Sequence, residues 1–438
     1  MSQGGLLNGR RLLPLRHIGP CGASVLPGVH QYRCDPVCAA GQGDDPSLYL
    51  LWRLVAHRGG PVGRISSCID PSTAGVTATI GFAAGGTGGH MFPAQAVAHA
   101  LKARGHRIIL FSDARGMRYA DDFPADRIVL LEAANPNAKG LWAKATAAFT
   151  LLSGLRTARR ALKEEAVDLM IGFGGYPSAP GYFAARTLRL PTVLHEANAI
   201  LGRVNRRAAP GADLVAHGFP SLARLPDTSA AIVFTGNPVR EAVRAAAALP
   251  WPSTASDAPL KLLIFGGSQG AALFGRVFPA AISQLPAEIR YRLVVTHQVT
   301  DDHREAVAAA YEAAGVEAVL APFFPDLPAR IADSHLVVAR AGAGTVTELS
   351  LIARPAILVP LAIAMDDHQR LNAESLAKSG AADILLEAEA TPEAAAALLL
   401  PRLRDPQRSL ELAAAAGQGV PPEAAADLAE RIEMLLEG

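Results

Sequence analysis

The chain has 438 residues, half of them apolar and 18% charged, with a formal net charge of +1. That length exceeds what one hydrophobic core usually serves, so two domains are expected, and the apolar content excludes a largely disordered chain. The near-neutral total is uninformative until it is split by region: residues 76–240 carry 19 Lys and Arg against 11 Asp and Glu, and residues 241–438 carry 15 against 25. One half is thus suited to an anionic surface, the alternative being a simple drift of charge between domains.

Residues 1–75 are rich in Gly, Pro and Arg and hold all four cysteines, Cys21, Cys34, Cys38 and Cys68, at spacings that match no zinc pattern. The thiol-free remainder fits a cytosolic protein without disulfides. The apolar run Leu48 to Val55 is interrupted by Arg53 and is too short to span a bilayer. The segment reads as a poorly ordered extension, consistent with an over-extended start because no Met occurs between Met1 and Met91, and the functional body is expected to begin near Val76.

From there short apolar runs alternate with helical patterns. ATIGFAA, RIILFSD, DRIVLLE, VDLMIGFGG, TVLHEAN and DLVAHG read as buried strands of βαβ units. The rhythm pauses after Gly236-Asn237-Pro238 and in the linker LPWPSTASDAP, then restarts at KLLIFGGSQGA and continues through RLVVTH, EAVLAPF, SHLVVARAG and PAILVPLA. The expectation is an α/β chain of two doubly wound parallel-sheet halves, 76–238 and 239–418, facing across a ligand cleft, with a terminal helix in 419–438 crossing back onto the first half.

Five motifs punctuate this body: GGTGGH (Gly85 to His90), GFGGYPS (Gly172 to Ser178), HEANAILGRVNR (His195 to Arg206), GGSQGA (Gly266 to Ala271) and RAGAGTVTEL (Arg340 to Leu349). A Gly-rich turn from strand to helix offers free amides to an anion. GGTGGH lacks dinucleotide spacing and a P-loop Lys, which disfavours NAD and ATP. His90 at the first helical turn suits a base for a hydroxyl, a hydrogen-bond donor to phosphate, or a plain capping residue. Arg240 at the junction suits a diphosphate or an interdomain ion pair. Glu348, one turn into its helix, suits ribose hydroxyls or simple complementation of the helix dipole. DDHQRLNA (Asp366 to Ala373) supplies amides and acids of the kind sugar hydroxyls require, and no second cluster completes a metal site.

Together these motifs resemble the MurG family of N-acetylglucosaminyltransferases over roughly Val76 to the C-terminus. The resemblance implies the GT-B fold, two Rossmann-like domains with parallel sheets facing across a cleft, and inverting transfer of GlcNAc from UDP-GlcNAc to the C4 hydroxyl of undecaprenyl-pyrophosphoryl-MurNAc-pentapeptide in peptidoglycan synthesis, without cofactor or metal. By resemblance, Thr87, Gly88, Gly89, Tyr176 and Asn198 contact acceptor or GlcNAc, Arg240 and Ser268 the nucleotide phosphates, and Phe324 the uracil through its backbone. Thr345 matches the phosphate-loop residue, Glu348 the ribose acceptor and Gln369 a partner of GlcNAc hydroxyls. His90, Arg240 and Glu348 are the implied catalytic set. Ala197 stands where the family more often has Gln, and His368 replaces an amide. Rival readings are another GT-B UDP-sugar enzyme acting on lipid and an inactive UDP-sugar-binding regulator at the membrane.

A lipid-linked acceptor implies peripheral attachment at the cytoplasmic face of the inner membrane, near other cell-wall synthesis proteins. Lys139 to Lys163 offers Leu141, Trp142, Phe149 and Leu152 among six basic residues, a composition suited to an interfacial helix on anionic lipid. An ordinary core-facing helix with a basic outer face is the competing reading.

Overall fold

The computed structural model describes residues 77–132, 141–266 and 271–437, with backbone alone at 141–148, 271 and 365. The N-terminal extension expected over 1–75 lies outside the described residues.

The first half is built on a parallel seven-stranded sheet of β1 (Thr79–Ala83), β2 (Arg107–Ser112), β3 (Arg127–Leu130), β4 (Leu169–Gly172), β5 (Thr192–Glu196), β6 (Leu214–His217) and β7 (Ala231–Phe234), in the order β3-β2-β1-β4-β5-β6-β7. The second half is a parallel six-stranded sheet of β8 (Leu260–Phe265), β9 (Leu293–Gln298), β10 (Glu317–Ala321), β11 (Leu336–Ala339), β12 (Ala356–Leu358) and β13 (Ala382–Ile384), in the order β10-β9-β8-β11-β12-β13. The central strands are unbroken apolar runs because helices cover both faces: Leu169, Met170 and Ile171 are wholly buried, as are Leu336, Val337 and Val338. Strand order reverses between β1 and β4 and between β8 and β11, and at such points the carboxyl ends of the strands open a crevice.

The helices that cover these sheets include α1 (Gly88–Ala103), α2 (Leu141–Glu164), α3 (Ser178–Thr187), α4 (Arg203–Ala208), α5 (Glu241–Ala247), α6 (Ala343–Leu351), α7 (His368–Ala377) and α8 (Ala424–Glu437). Helix α8 belongs by sequence to the end of the chain but packs on the first half. Leu428, Ala429 and Ile432 share a buried cluster with Ile80, Phe82, Val97 and Leu101, while Arg104 and His106 both bond Glu433. The return crossing runs beside the outgoing one. Gly236 has φ +76°, and a Cβ there would lie 3.1 Å from Pro421 Cδ, so any other residue would be strained in its backbone and would push on the neighbouring crossing.

The halves are also joined directly. Ala197, Ala199 and Phe219 from the first half lie in one buried cluster with Val243, Ala341, Leu349 and Ala373. Two buried asparagines stitch this seam. Asn237 Nδ2 donates to Ala197 O and Thr347 Oγ1, each at 2.9 Å. Asn372 accepts from Ala199 N at 2.9 Å and donates to Ala341 O at 3.2 Å and Asn198 Oδ1 at 3.1 Å. Buried amides in an apolar seam hold it in one register, because any other leaves polar groups unpaired.

Candidate active site

Strand β1 ends in the turn Gly85 to Thr87, and α1 starts at Gly88, so the first amides of α1 have no acceptor inside the helix. The turn is braced from behind by Asp113, which follows β2: its Oδ1 accepts from Gly86 N at 2.8 Å and Gly116 N at 2.9 Å, and its Oδ2 from Arg115 Nε at 2.9 Å. A Cβ on Gly85 would stand 2.7 Å from Asp113 Oδ1 and 2.8 Å from Pro177 Cβ. The glycine is required by that close approach, and Asp113 is a supporting residue the motifs alone did not expose. Thr87 is exposed at the N-cap and makes no side-chain capping bond.

His90, in the first turn of α1, places Nδ1 2.9 Å from Phe173 O. A carbonyl can only accept, so Nδ1 carries the proton and Nε2 keeps its lone pair. Burial pulls the imidazole below its ordinary 6.5; Glu196 and the Phe173 bond oppose that, while nearby His368 adds to it. The ring is therefore neutral at pH 7, with Nε2 available as a base. Gly175 lies against it in the left-handed region at φ +73°, where a Cβ would come within 3.1 Å of Nε2.

His90, Tyr176 and Asn198 line one cavity of about 220 Å³, together with Glu196, Arg203, Asp366 and His368. Glu196 is 3% exposed at the end of β5 and is fully engaged. Its Oε1 accepts from Asn198 N and Nδ2 at 3.1 and 3.0 Å, and its Oε2 from Gly202 N and Asn205 Nδ2 at 2.8 and 2.9 Å. The Asn198 side chain is thus clamped between Glu196 and Asn372. Sequence reasoning selected Asn198 but not Glu196, whose signal was its place in HEAN at a strand's carboxyl end.

On the second half, Gly342 caps α6 in extended conformation, and Thr345 sits in the first turn, where the leading amides lack helical acceptors. Glu348, one turn on, is raised to about 7 by burial, with Arg240 pulling the other way. Arg240 Nη2 lies 3.8 Å from Glu348 Oε1, and its guanidinium stacks 4.5 Å from the Phe92 ring centroid on α1. Gln369 Oε1 accepts from Leu361 N at 3.0 Å. Phe324 is 6% exposed beneath the Arg330 guanidinium, 4.5 Å from its ring centroid. Ser268 lies outside the described residues. The structure therefore brings His90, Tyr176 and Asn198 to one cavity and Arg240 to Glu348.

DDHQRLNA divides its labour. Asn372 is wholly buried in the seam, and Asp366 is turned to three arginines of the first half: Arg206 Nη2 at 2.8 Å, Arg224 Nη1 at 2.9 Å and Arg203 Nε at 3.5 Å. Burial raises the Asp366 carboxyl, but hydrogen bonds from Arg224 and Arg206 outweigh it and hold the group below its usual range.

On the outer side of the first half, α2 leaves Phe149, Leu151 and Leu152 exposed, at 69%, 44% and 50%, on the same helix as exposed Arg156, Arg160 and Lys163. The side chains of Leu141 and Trp142 lie outside the described residues. Among the described residues no helix is long and apolar enough to cross a membrane.

Two Rossmann-like halves with glycine turns at both switch points, a neutral His on one side and, on the other, a helix N-terminus with a Glu in its second turn, define a nucleotide-sugar glycosyltransferase of the GT-B type. Residues 80–217 match the glycosyltransferase family 28 N-terminal domain and residues 261–432 its C-terminal domain. The chain is 48% identical over 335 residues to the UDP-N-acetylglucosamine–N-acetylmuramyl-(pentapeptide) pyrophosphoryl-undecaprenol N-acetylglucosamine transferase of Methylorubrum extorquens, covering 76% of this chain and 91% of that protein. It is 45% identical over 352 residues to the same-named protein of Caulobacter vibrioides, covering 80% and 97%. The crystal structure of Acinetobacter baumannii MurG superposes with a TM-score of 0.67 at 33% identity, covering 82% of this chain and 99% of that one. The chain belongs to glycosyltransferase family 28 and, within it, to the MurG family.

Proposed function

We infer that this protein transfers GlcNAc from UDP-GlcNAc to the C4 hydroxyl of undecaprenyl-pyrophosphoryl-MurNAc-pentapeptide, with inversion and release of UDP, in peptidoglycan synthesis. The relatives' identity and near-complete coverage support the substrates. The observation that carries the mechanism is the His90 Nδ1 bond to Phe173 O, which leaves Nε2 free in the cavity.

In the transfer, Nε2 of His90 takes the proton as the acceptor oxygen bonds to the anomeric carbon and the bond to the UDP oxygen breaks. Arg240 and the amides opening α6 at Thr345 stabilise the charge gathering on the departing diphosphate. Glu348 accepts from the ribose hydroxyls, Gln369 and Asn198 hold the GlcNAc, Ser268 and Phe324 complete the nucleotide site, and Thr87 to Gly89 and Tyr176 face the acceptor. The exposed apolar and basic groups of α2 support peripheral docking on an anionic membrane, where the lipid acceptor resides.

The test is transfer of labelled GlcNAc by the full chain, with and without acceptor. Acceptor-dependent product, cut by about 10²–10⁴ in His90→Ala, is expected. Nucleotide binding without acceptor-dependent transfer would overturn the reading.

A further inference from the structure

The arginine array on Asp366 is not used by the mechanism above, yet it opens on the cavity that holds His90, since Arg203 and Asp366 are among the lining residues. Three guanidinium groups meet one carboxylate at 2.8, 2.9 and 3.5 Å. One carboxylate neutralises one of the three, so the array keeps two positive charges. Its donors are also incompletely used. Arg206 Nε is buried with no acceptor, and the Arg203 and Arg224 side chains remain 50% and 49% exposed. A buried guanidinium N–H without a protein acceptor is costly, so an anion that reached the array would meet a donor still to be satisfied.

The acceptor read above carries a diphosphate esterified at both ends, a group with two negative charges near neutral pH and paired oxygens that suit forked guanidinium donors. We propose that Arg203, Arg206 and Arg224 seat the diphosphate of the lipid-linked acceptor, with Asp366 holding the three side chains in one array; this rests on the acceptor reading. Three guanidinium groups, one carboxylate and one disubstituted diphosphate sum to zero. The arginines come from the first half and Asp366 from the second, three residues before Gln369, so the complete seat exists only while the halves stand together. The diphosphate would then anchor the acceptor so that its sugar reaches Nε2 of His90.

The experiment measures steady-state transfer by the full chain with acceptor in phospholipid-free detergent micelles, comparing Arg203→Ala, Arg224→Ala, the double variant and the two Lys variants. Each Ala change is expected to raise the acceptor KM about tenfold, the loss of one charge-assisted hydrogen bond. The KM for UDP-GlcNAc and kcat should stay within about twofold, with partial rescue by Lys. A parallel sedimentation arm uses acceptor-free anionic phospholipid vesicles. An unchanged acceptor KM in an active enzyme overturns the proposal, as does an equal rise in both KM values. A loss seen only on the vesicles also overturns it and assigns the array to phospholipid. Absence of transfer by the unaltered chain instead overturns the acceptor reading. Arg206→Lys serves as a further variant, because its partly buried side chain keeps its charge and most of its volume.

Discussion

Arg240 Nη2 stands 3.8 Å from Glu348 Oε1 while the same guanidinium rests on the Phe92 ring, so one side chain touches both halves and the carboxylate beside the α6 N-terminus. Burial nonetheless leaves Glu348 titrating near 7. An ionised carboxylate accepts from both hydroxyls of a ribose diol, whereas protonation takes away one acceptor and the charge, so UDP-GlcNAc affinity is expected to fall as pH drops below about 7 and to level off above it. Glu348→Gln should bind more weakly at pH 8 and lose that pH dependence, as measured by titration calorimetry. The stability effect has the opposite sign. Between 4.5 and about 7 the native state keeps a proton that the unfolded chain has lost, so this group's contribution to stability falls as pH rises through that window. The melting temperature of Glu348→Gln should therefore gain on that of the unaltered chain between pH 5 and 8.

His90 is expected to impose a different limb. Burial sets its pKa below 6.5, and only the neutral ring can take a proton, so kcat at saturating UDP-GlcNAc should be flat through neutrality and fall only on the acid side of 6.5. His90→Gln should abolish that limb along with most of the rate. An acid limb above pH 7 in kcat would contradict the assignment.

Asn372→Ala should cost both stability and sugar-nucleotide binding. It strips partners from Ala199 N, Ala341 O and Asn198 Oδ1 within a wholly buried site. A loss of about 1–3 kcal/mol is expected from denaturant unfolding. The KM for UDP-GlcNAc should rise as Asn198 is freed, whereas a seam residue without influence on the site would leave it unchanged.

Phe149→Glu and Leu152→Glu alter exposed positions, so folding should be untouched within about 0.5 kcal/mol. Sedimentation with anionic vesicles should drop severalfold, while transfer to acceptor in detergent micelles stays the same. Equal vesicle binding would reject docking through α2.

The sheets were legible because their central strands are uninterrupted apolar runs bounded by glycine turns, as at Thr79–Ala83 and Leu336–Ala339. The edge strands β7 and β13 carry no such signal: Ala231–Phe234 is short and partly exposed, and Ala382–Ile384 has only three residues. Motif positions such as His90 and Glu348 could be picked out because each falls where a strand gives way to a helix. What stayed hidden depends on pairing across long separations. Nothing local to Asp366 announces three arginines from the other half, and nothing near Asn372 marks it as a seam residue rather than a sugar contact. Asp113 was equally silent, because its role is to fill space behind Gly85 and not to reach into the cleft.

The contact of Gly236 with Pro421 has a mechanical outcome. Both stretches carry the chain between the halves, so a change at this point acts on how the halves are set and on no reacting group. A β-branched residue at 236 would be strained in the left-handed region and would press on the Pro421 ring, so its cost would fall on the strut between the halves while every reacting group stayed intact.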